Sequence, residues 1–178
     1  VRTAYPQFAY CYSGWGVEPR SAASPELGFL NLLEPHIWLA QQRGYYQRVG
    51  YGYERFDAKG YENVVAHAEA VYRANPEYWL DGLRDAITRV ADSSSTWNLP
   101  LITTECWGLV DYKDWPGLDW GYVKEMCAVG TTSAAATGRW VALATSNFCG
   151  PQFRGMWRDI AWHQRLTKMI KASRLPEL

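Results

Sequence analysis

The chain is poor in several things that would simplify its assignment. Of 178 residues only four are cysteine, Cys11, Cys106, Cys127 and Cys149, and no two form a Cys-x-x-Cys pair. That spacing excludes a disulfide scaffold and supplies no zinc motif. Charge of either sign is not in excess, since 18 Lys and Arg balance 18 Asp and Glu. Electrostatics therefore gives no reason to expect a nucleic acid or an anionic membrane as partner. No apolar run is long enough to cross a bilayer, and no charged-then-apolar leader opens the chain. Val1 is not an initiator, so an upstream segment is expected and localisation stays open. The three histidines, His36, His67 and His163, make no metal-spaced cluster with Asp or Glu. There is no Gly-x-Ser-x-Gly turn, and the Gly-x-Gly at Gly50-Tyr51-Gly52 does not open a helix. A serine hydrolase and a nucleotide site are both disfavoured. No metal or other cofactor is called for.

Aromatic residues are plentiful by contrast: ten Trp and twelve Tyr. Several must belong to the core, but so many broad rings also suit a carbohydrate ligand. They stack on the apolar faces of sugars while Trp N–H and Tyr O–H remain free for hydroxyls. A chain of this length can bury one core, so a single domain is expected over residues 1–178.

The pattern along the chain alternates. Phe8–Ser13 reads as a strand, followed by a Gly/Pro-rich loop to Pro25. Phe29–Trp38 is a second strand-like run, interrupted at Glu34-Pro35, and a Tyr/Gly-rich loop spans Gln41–Gly60. Tyr61, Val64, Val65, Ala68, Val71 and Tyr72 share a helical face. Asn75-Pro76 is an N-cap with proline at the first helical position. The helix it opens carries Trp79, Leu80, Leu83, Ala86, Ile87 and Val90 as its apolar stripe, and Ser93–Ser95 is expected to close it. Pro100–Glu105 is a third strand, a helix from about Asp119 to Thr137 ends at Gly138, and Arg139–Ser146 is a fourth strand. Asn147–Pro151 is its exit loop. A last helix, about Gly155–Ala172, is expected to bury Met156, Trp157, Ile160, Ala161 and Ile170. Cys11 and Cys127 read as small buried hydrophobes, and Trp140 as core. Strand–helix alternation at this spacing means βαβ units and a parallel sheet. About four parallel strands with covering helices are half of a (β/α)₈ barrel, which usually needs about 250 residues.

Within that pattern, Pro100-Leu-Ile-Thr-Thr-Glu105-Cys-Trp-Gly108 carries the chemistry. An apolar strand runs out on a carboxylate beside an indole, at the end of a parallel strand where active sites are built. Glu105 reads either as a glycosidase nucleophile or acid, or as a strand-end Glu that caps a helix or pairs with an Arg. His36 in Leu32-Leu33-Glu34-Pro35-His36-Ile37-Trp38 reads as a partner of a carboxylate or sugar hydroxyl, or as a His satisfied by backbone. Trp38, Trp107, Tyr45, Tyr46 and Asn147 are candidate sugar contacts.

These two segments resemble the seventh and sixth strands of the clan A retaining glycoside hydrolases, and most of all their sugar-binding cellulase-like members. In that clan the strand Pro–apolar–Glu–x–aromatic–Gly carries the nucleophile, and a His-x-aromatic motif lies next to it. Phe8–Ser13 and Ser146-Asn147-Phe148 would then belong to the fifth and eighth strands. The resemblance implies an α/β fold, the C-terminal half of a (β/α)₈ barrel, with Glu105 as nucleophile and His36 in support. It also implies a retaining hydrolase of β-linked oligo- or polysaccharides.

One departure stands out. The clan's acid/base Glu follows an Asn, and this chain has no Asn-Glu dipeptide. The acid/base is therefore expected upstream, with Glu34 the best internal substitute and Glu18 a weaker one. The alternative is a carbohydrate-binding or catalytically inactive barrel fragment. A half barrel exposes two sheet edges, so a dimer, or pairing with an N-terminal half barrel, is expected.

Overall fold

Parallel strands joined through helices carry the chain in a computed structural model that describes residues 2–15, 28–52, 58–110, 119–146 and 154–175. The strands are β1 (Cys11–Trp15), β2 (Leu32–Trp38), β3 (Leu101–Thr103), β4 (Cys106–Trp107) and β5 (Trp140–Leu143). They lie in the order β1-β2-β3-β5, with β4 also on β2, and every pair is parallel. The helices are α1 (Tyr45–Val49), α2 (Ala58–Ala74), α3 (Pro76–Trp97), α4 (Gly121–Ala136), α5 (Arg154–Trp157) and α6 (Ile160–Ala172). A parallel sheet with flanking helices is the α/β architecture expected, consistent with part of a (β/α)₈ barrel. The expected third strand is divided into β3 and β4, for a reason that bears on the site.

Local chemistry accounts for the helices. The Asn75 side chain accepts from the Tyr78 N–H at 3.3 Å, with Pro76 in the first turn, so α3 starts where the cap and proline place it. Trp79, Leu80, Leu83, Ala86, Ile87 and Val90 are all buried. The three serines do not end α3. Ser93 and Ser95 donate back to the carbonyls of Arg89 and Ala91 at 3.0 and 3.1 Å, a bond that lets serine stay helical. The helix instead stops at Asn98, whose φ of 51° is left-handed. In the Tyr/Gly-rich loop, Gly44 and Gly50 take φ of 73° and 79° and bracket the one-turn α1, which puts the rings of Tyr45 and Tyr46 inside.

The last helix departs from expectation in phase. It breaks after Trp157, and Asp159 starts α6 afresh by accepting from the Trp162 N–H at 3.0 Å. The restart rotates the buried stripe onto Trp162 and Leu166 and leaves Trp157 and Ile160 52% and 65% exposed. Met156 is buried as expected, whereas Ala161 is exposed and Ile170 only half-buried. Cys11 is exposed as well, because β1 is paired only to β2 among the described strands and its face is uncovered. Cys127 and Trp140 are buried.

Asp159 also receives the Lys124 ammonium at 2.8 Å. That bond, aided by the Trp162 N–H, holds its carboxyl below the ordinary aspartate value. A carboxyl with a folded pKa below its unfolded value of about 3.9 stabilises above that pH and ceases to as acid protonates it. Asp159→Asn keeps a competent cap but loses the charge pair. Its melting temperature should fall below wild type at pH 7, with the gap closing towards pH 3. An equal gap at both values would refute the charge contribution.

Rings occupy much of the interior: Trp38, Trp79, Trp107, Tyr45, Tyr72 and Tyr122 are among the largest fully buried side chains. No helix among the described residues is long and apolar enough to cross a membrane.

Candidate functional site

Strand alternation sends Leu33, Pro35 and Ile37 beneath the helices, and these are buried. Leu32, Glu34 and His36 take the other face and are only partly covered. The register with β1 sets Ser13 beside Glu34.

Pro35 explains why the third strand is divided. The Leu33 N–H donates to the Pro100 carbonyl at 3.0 Å, so this row of β2 addresses β3. Pro35 is next in the row and has no N–H to give. The pairing of Leu33 with Leu101 stops, and resumes only where Ile37 meets Cys106. In the gap the Thr103 hydroxyl donates to the Pro35 carbonyl at 3.2 Å. Thr104 and Glu105, released from the ladder, are exposed between two buried segments. The proline on one strand thus frees the carboxylate on the next.

Glu105 has a side chain 55% exposed, with Oε2 at 3.7 Å from His36 Nδ1. The other edge of the ring faces Ser13, whose Oγ lies 3.1 Å from Nε2, and Glu34, whose Oε1 lies 3.9 Å away. Glu34 accepts from the hydroxyls of Thr104 and Ser13. Burial pushes its carboxyl pKa up, but those hydrogen bonds and the facing imidazole outweigh burial and hold it below the ordinary value. A general acid needs a raised pKa, so Glu34 is ill suited to the substitute acid role given it by sequence position. Ser13 and Thr104 were not among the residues the sequence singled out for this cluster. Strand register is the signal that would have found them, and it is not readable along one strand.

The other candidates divide. Four proposed sugar contacts lie inside the protein: Trp38, Trp107, Tyr45 and Tyr46 are exposed by 4% or less. Their polar ends mostly serve protein carbonyls. Trp107 Nε1 donates to Ala144 at 3.1 Å, Tyr45 to Ala68 at 2.6 Å, and Tyr46 to Val110. They pack the core, and as placed they offer no ring face to a ligand. Asn147 and Glu18 lie outside the described residues. His67 is exposed, and His163 is held between Thr145 Oγ1 at 3.2 Å and the Met156 carbonyl at 3.0 Å. Among the described residues no three His, Cys, Asp or Glu converge as metal ligands.

A parallel α/β sheet carrying this cluster at its strand ends has a glycoside hydrolase-like fold. The chain belongs to the sugar-binding cellulase-like family, whose model matches residues 1–171. It is also similar to a crystal structure described as a "putative glycoside hydrolase" from Parabacteroides distasonis ATCC 8503, at 52% identity and a TM-score of 0.92. The match covers 99% of this chain and 47% of that one, so the chain spans about half the length of the protein it resembles. No curated protein matches it.

Proposed function

We propose that the chain supplies the nucleophile side of a retaining glycoside hydrolase acting on β-linked glycans. The observation that carries this reading is Glu105, an accessible carboxylate freed at the end of a parallel strand and faced by an imidazole. In this reading one Glu105 oxygen attacks the anomeric carbon and the glycosidic oxygen leaves with a proton from a second carboxyl group. Water then hydrolyses the glycosyl–enzyme ester. The second carboxyl belongs about 5–5.5 Å from the first. Glu34, held ionised, does not suit it, and the proposal assigns the acid/base to residues outside this sequence. The rings of Tyr5, Phe8, Tyr12 and Phe29, exposed in and around β1, would suit a complementary half barrel or a second copy.

The natural protein carrying this sequence should be inactivated by a 2-fluoro β-glycoside, and peptide mass spectrometry should find the sugar on Glu105. A label on another carboxylate overturns the assignment. The lack of a suitable proton donor beside Glu105 among the described residues favours a second reading, a site that binds sugar without cleaving it. Sugar binding with no label at all would support that reading.

A further inference from the structure

The last helix has a second apolar side that no described residue covers. Trp162, Leu166 and Met169 turn one side of α6 to the core, where the helix packs on α4. Ile160, Gln164, Lys168 and Lys171 recur at three- and four-residue steps on the opposite side. With Trp157 they line an open cavity of about 790 Å³. Trp157 and Ile160 are its apolar part, 52% and 65% exposed. Arg158, Lys168 and Lys171 stand around them, and no Asp or Glu is in the described lining. Among the described residues none of these three cations has an ion-pair partner. Asp159, the acid next in sequence, is already bonded to Lys124. A helix that is apolar on two opposite sides is built to be packed on both.

Topology says where the groove looks. α6 follows β5, the last strand in the order β1-β2-β3-β5, and has the preceding crossover helix α4 on one flank. Its other flank faces past the β5 end of the sheet. The exposed rings around β1 mark the opposite end. The solved protein that this chain resembles is about twice as long, enough for one further half barrel to reach both ends.

We propose that the α6 groove docks a helix of the half barrel that precedes this sequence. That helix is amphipathic, with an apolar stripe for Trp157 and Ile160 and carboxylates for Arg158, Lys168 and Lys171. An apolar centre inside a charged rim is the usual anatomy of such a contact. A second copy of this chain is the poorer occupant. Across a two-fold axis the patch meets itself, and its three cations would face three cations with no acid between them. The proposal shares with the proposed function a half barrel outside this sequence, but it does not depend on the role of Glu105.

The test treats the natural protein with a carbodiimide, which joins an ammonium to a carboxylate only where the two touch. Peptide mass spectrometry should find Lys168 or Lys171 linked to an Asp or Glu that precedes Val1. Mixing ¹⁴N- and ¹⁵N-grown protein separates links within one molecule from links between two. In hydroxyl-radical footprinting Trp157 should be oxidised about as slowly as Trp162, which is 6% exposed. Ile160→Asp should lower the melting temperature by roughly 4–8 °C, as expected of a charge placed in a buried contact. Links between two molecules would assign the groove to a second copy and overturn the proposal. So would Trp157 reacting as an exposed indole, an Ile160→Asp variant as stable as wild type, or no link beyond this sequence. If the links form but Glu105 takes no 2-fluoro glycoside label, the docking face stands and the nucleophile assignment falls.

Discussion

Glu105→Gln should lower the rate of aryl β-glycoside hydrolysis by roughly 10⁴–10⁶-fold, the scale seen when a covalent catalyst loses its nucleophile. That is about 5–8 kcal/mol of barrier. Glutamine has the same shape, so sugar contacts should persist and KM should move little. What disappears is the charge that forms the bond to the anomeric carbon. The side chain is 55% exposed and sits outside the strand ladder, so the substitution should leave folding untouched. His36→Ala should cost much less, because it removes support and not the reacting oxygen. Steady-state kinetics on the natural protein, with circular dichroism to confirm the fold, would check both. Equal hydrolysis with Gln at position 105 would refute the proposed function outright.

The second large effect is expected in the core behind the rim. A Cβ at Gly130, in the middle of α4, would fall 2.5–2.7 Å from ring atoms of Trp107. No real contact is that short, so helix and indole cannot both stay in place. The indole has nowhere to go. It is fully buried, tilted edge-on to Trp140 with centroids 6.3 Å apart, and tied through its N–H to Ala144. Gly130→Ala should therefore cost about 3 kcal/mol, the upper end of ordinary overpacking losses because the ring is held in place, against about 1 kcal/mol regained from helix propensity, a net loss of about 2 kcal/mol. Each net kcal/mol should lower Tm by roughly 2–4 °C in a chain of this size. Trp107 belongs to β4, two residues beyond Glu105, so the displaced ring should also slow labelling of Glu105. Calorimetry and trapping kinetics measure the two effects separately. A variant as stable as wild type would mean the α4–β4 contact is looser than described.

Glu105 was legible because a proline, an apolar run and a carboxylate in series mark a strand and its end without reference to anything else. Asn75-Pro76 was legible for the same reason, since capping is a matter of neighbours three residues apart. His36 was legible as a candidate, but not its place between two carboxylates, which depends on how β2 lies against β1 and β3. Pro35 was read as an interruption of its own strand. Its effect falls on the neighbouring strand, where a missing donor splits β3 from β4. Trp38, Trp107, Tyr45 and Tyr46 were misread because stacking on a sugar and stacking in a core ask for the same residue types. α6 lost its phase to a single capping Asp159, and a helical stripe counted across such a restart points the wrong way.

The strands that hold the rim are not equally fixed. β2 has hydrogen-bonded neighbours on both sides, β1 on one side only among the described strands. Local opening is least costly where fewest backbone bonds and packed contacts must be broken. Among the described strands Glu34 and His36 therefore stand on the more firmly held one, and Ser13 on one paired along a single edge. Pairing of the other edge of β1 with a strand from outside this sequence, as the proposed function requires, would raise the cost of opening there and hold the Ser13 hydroxyl against the imidazole.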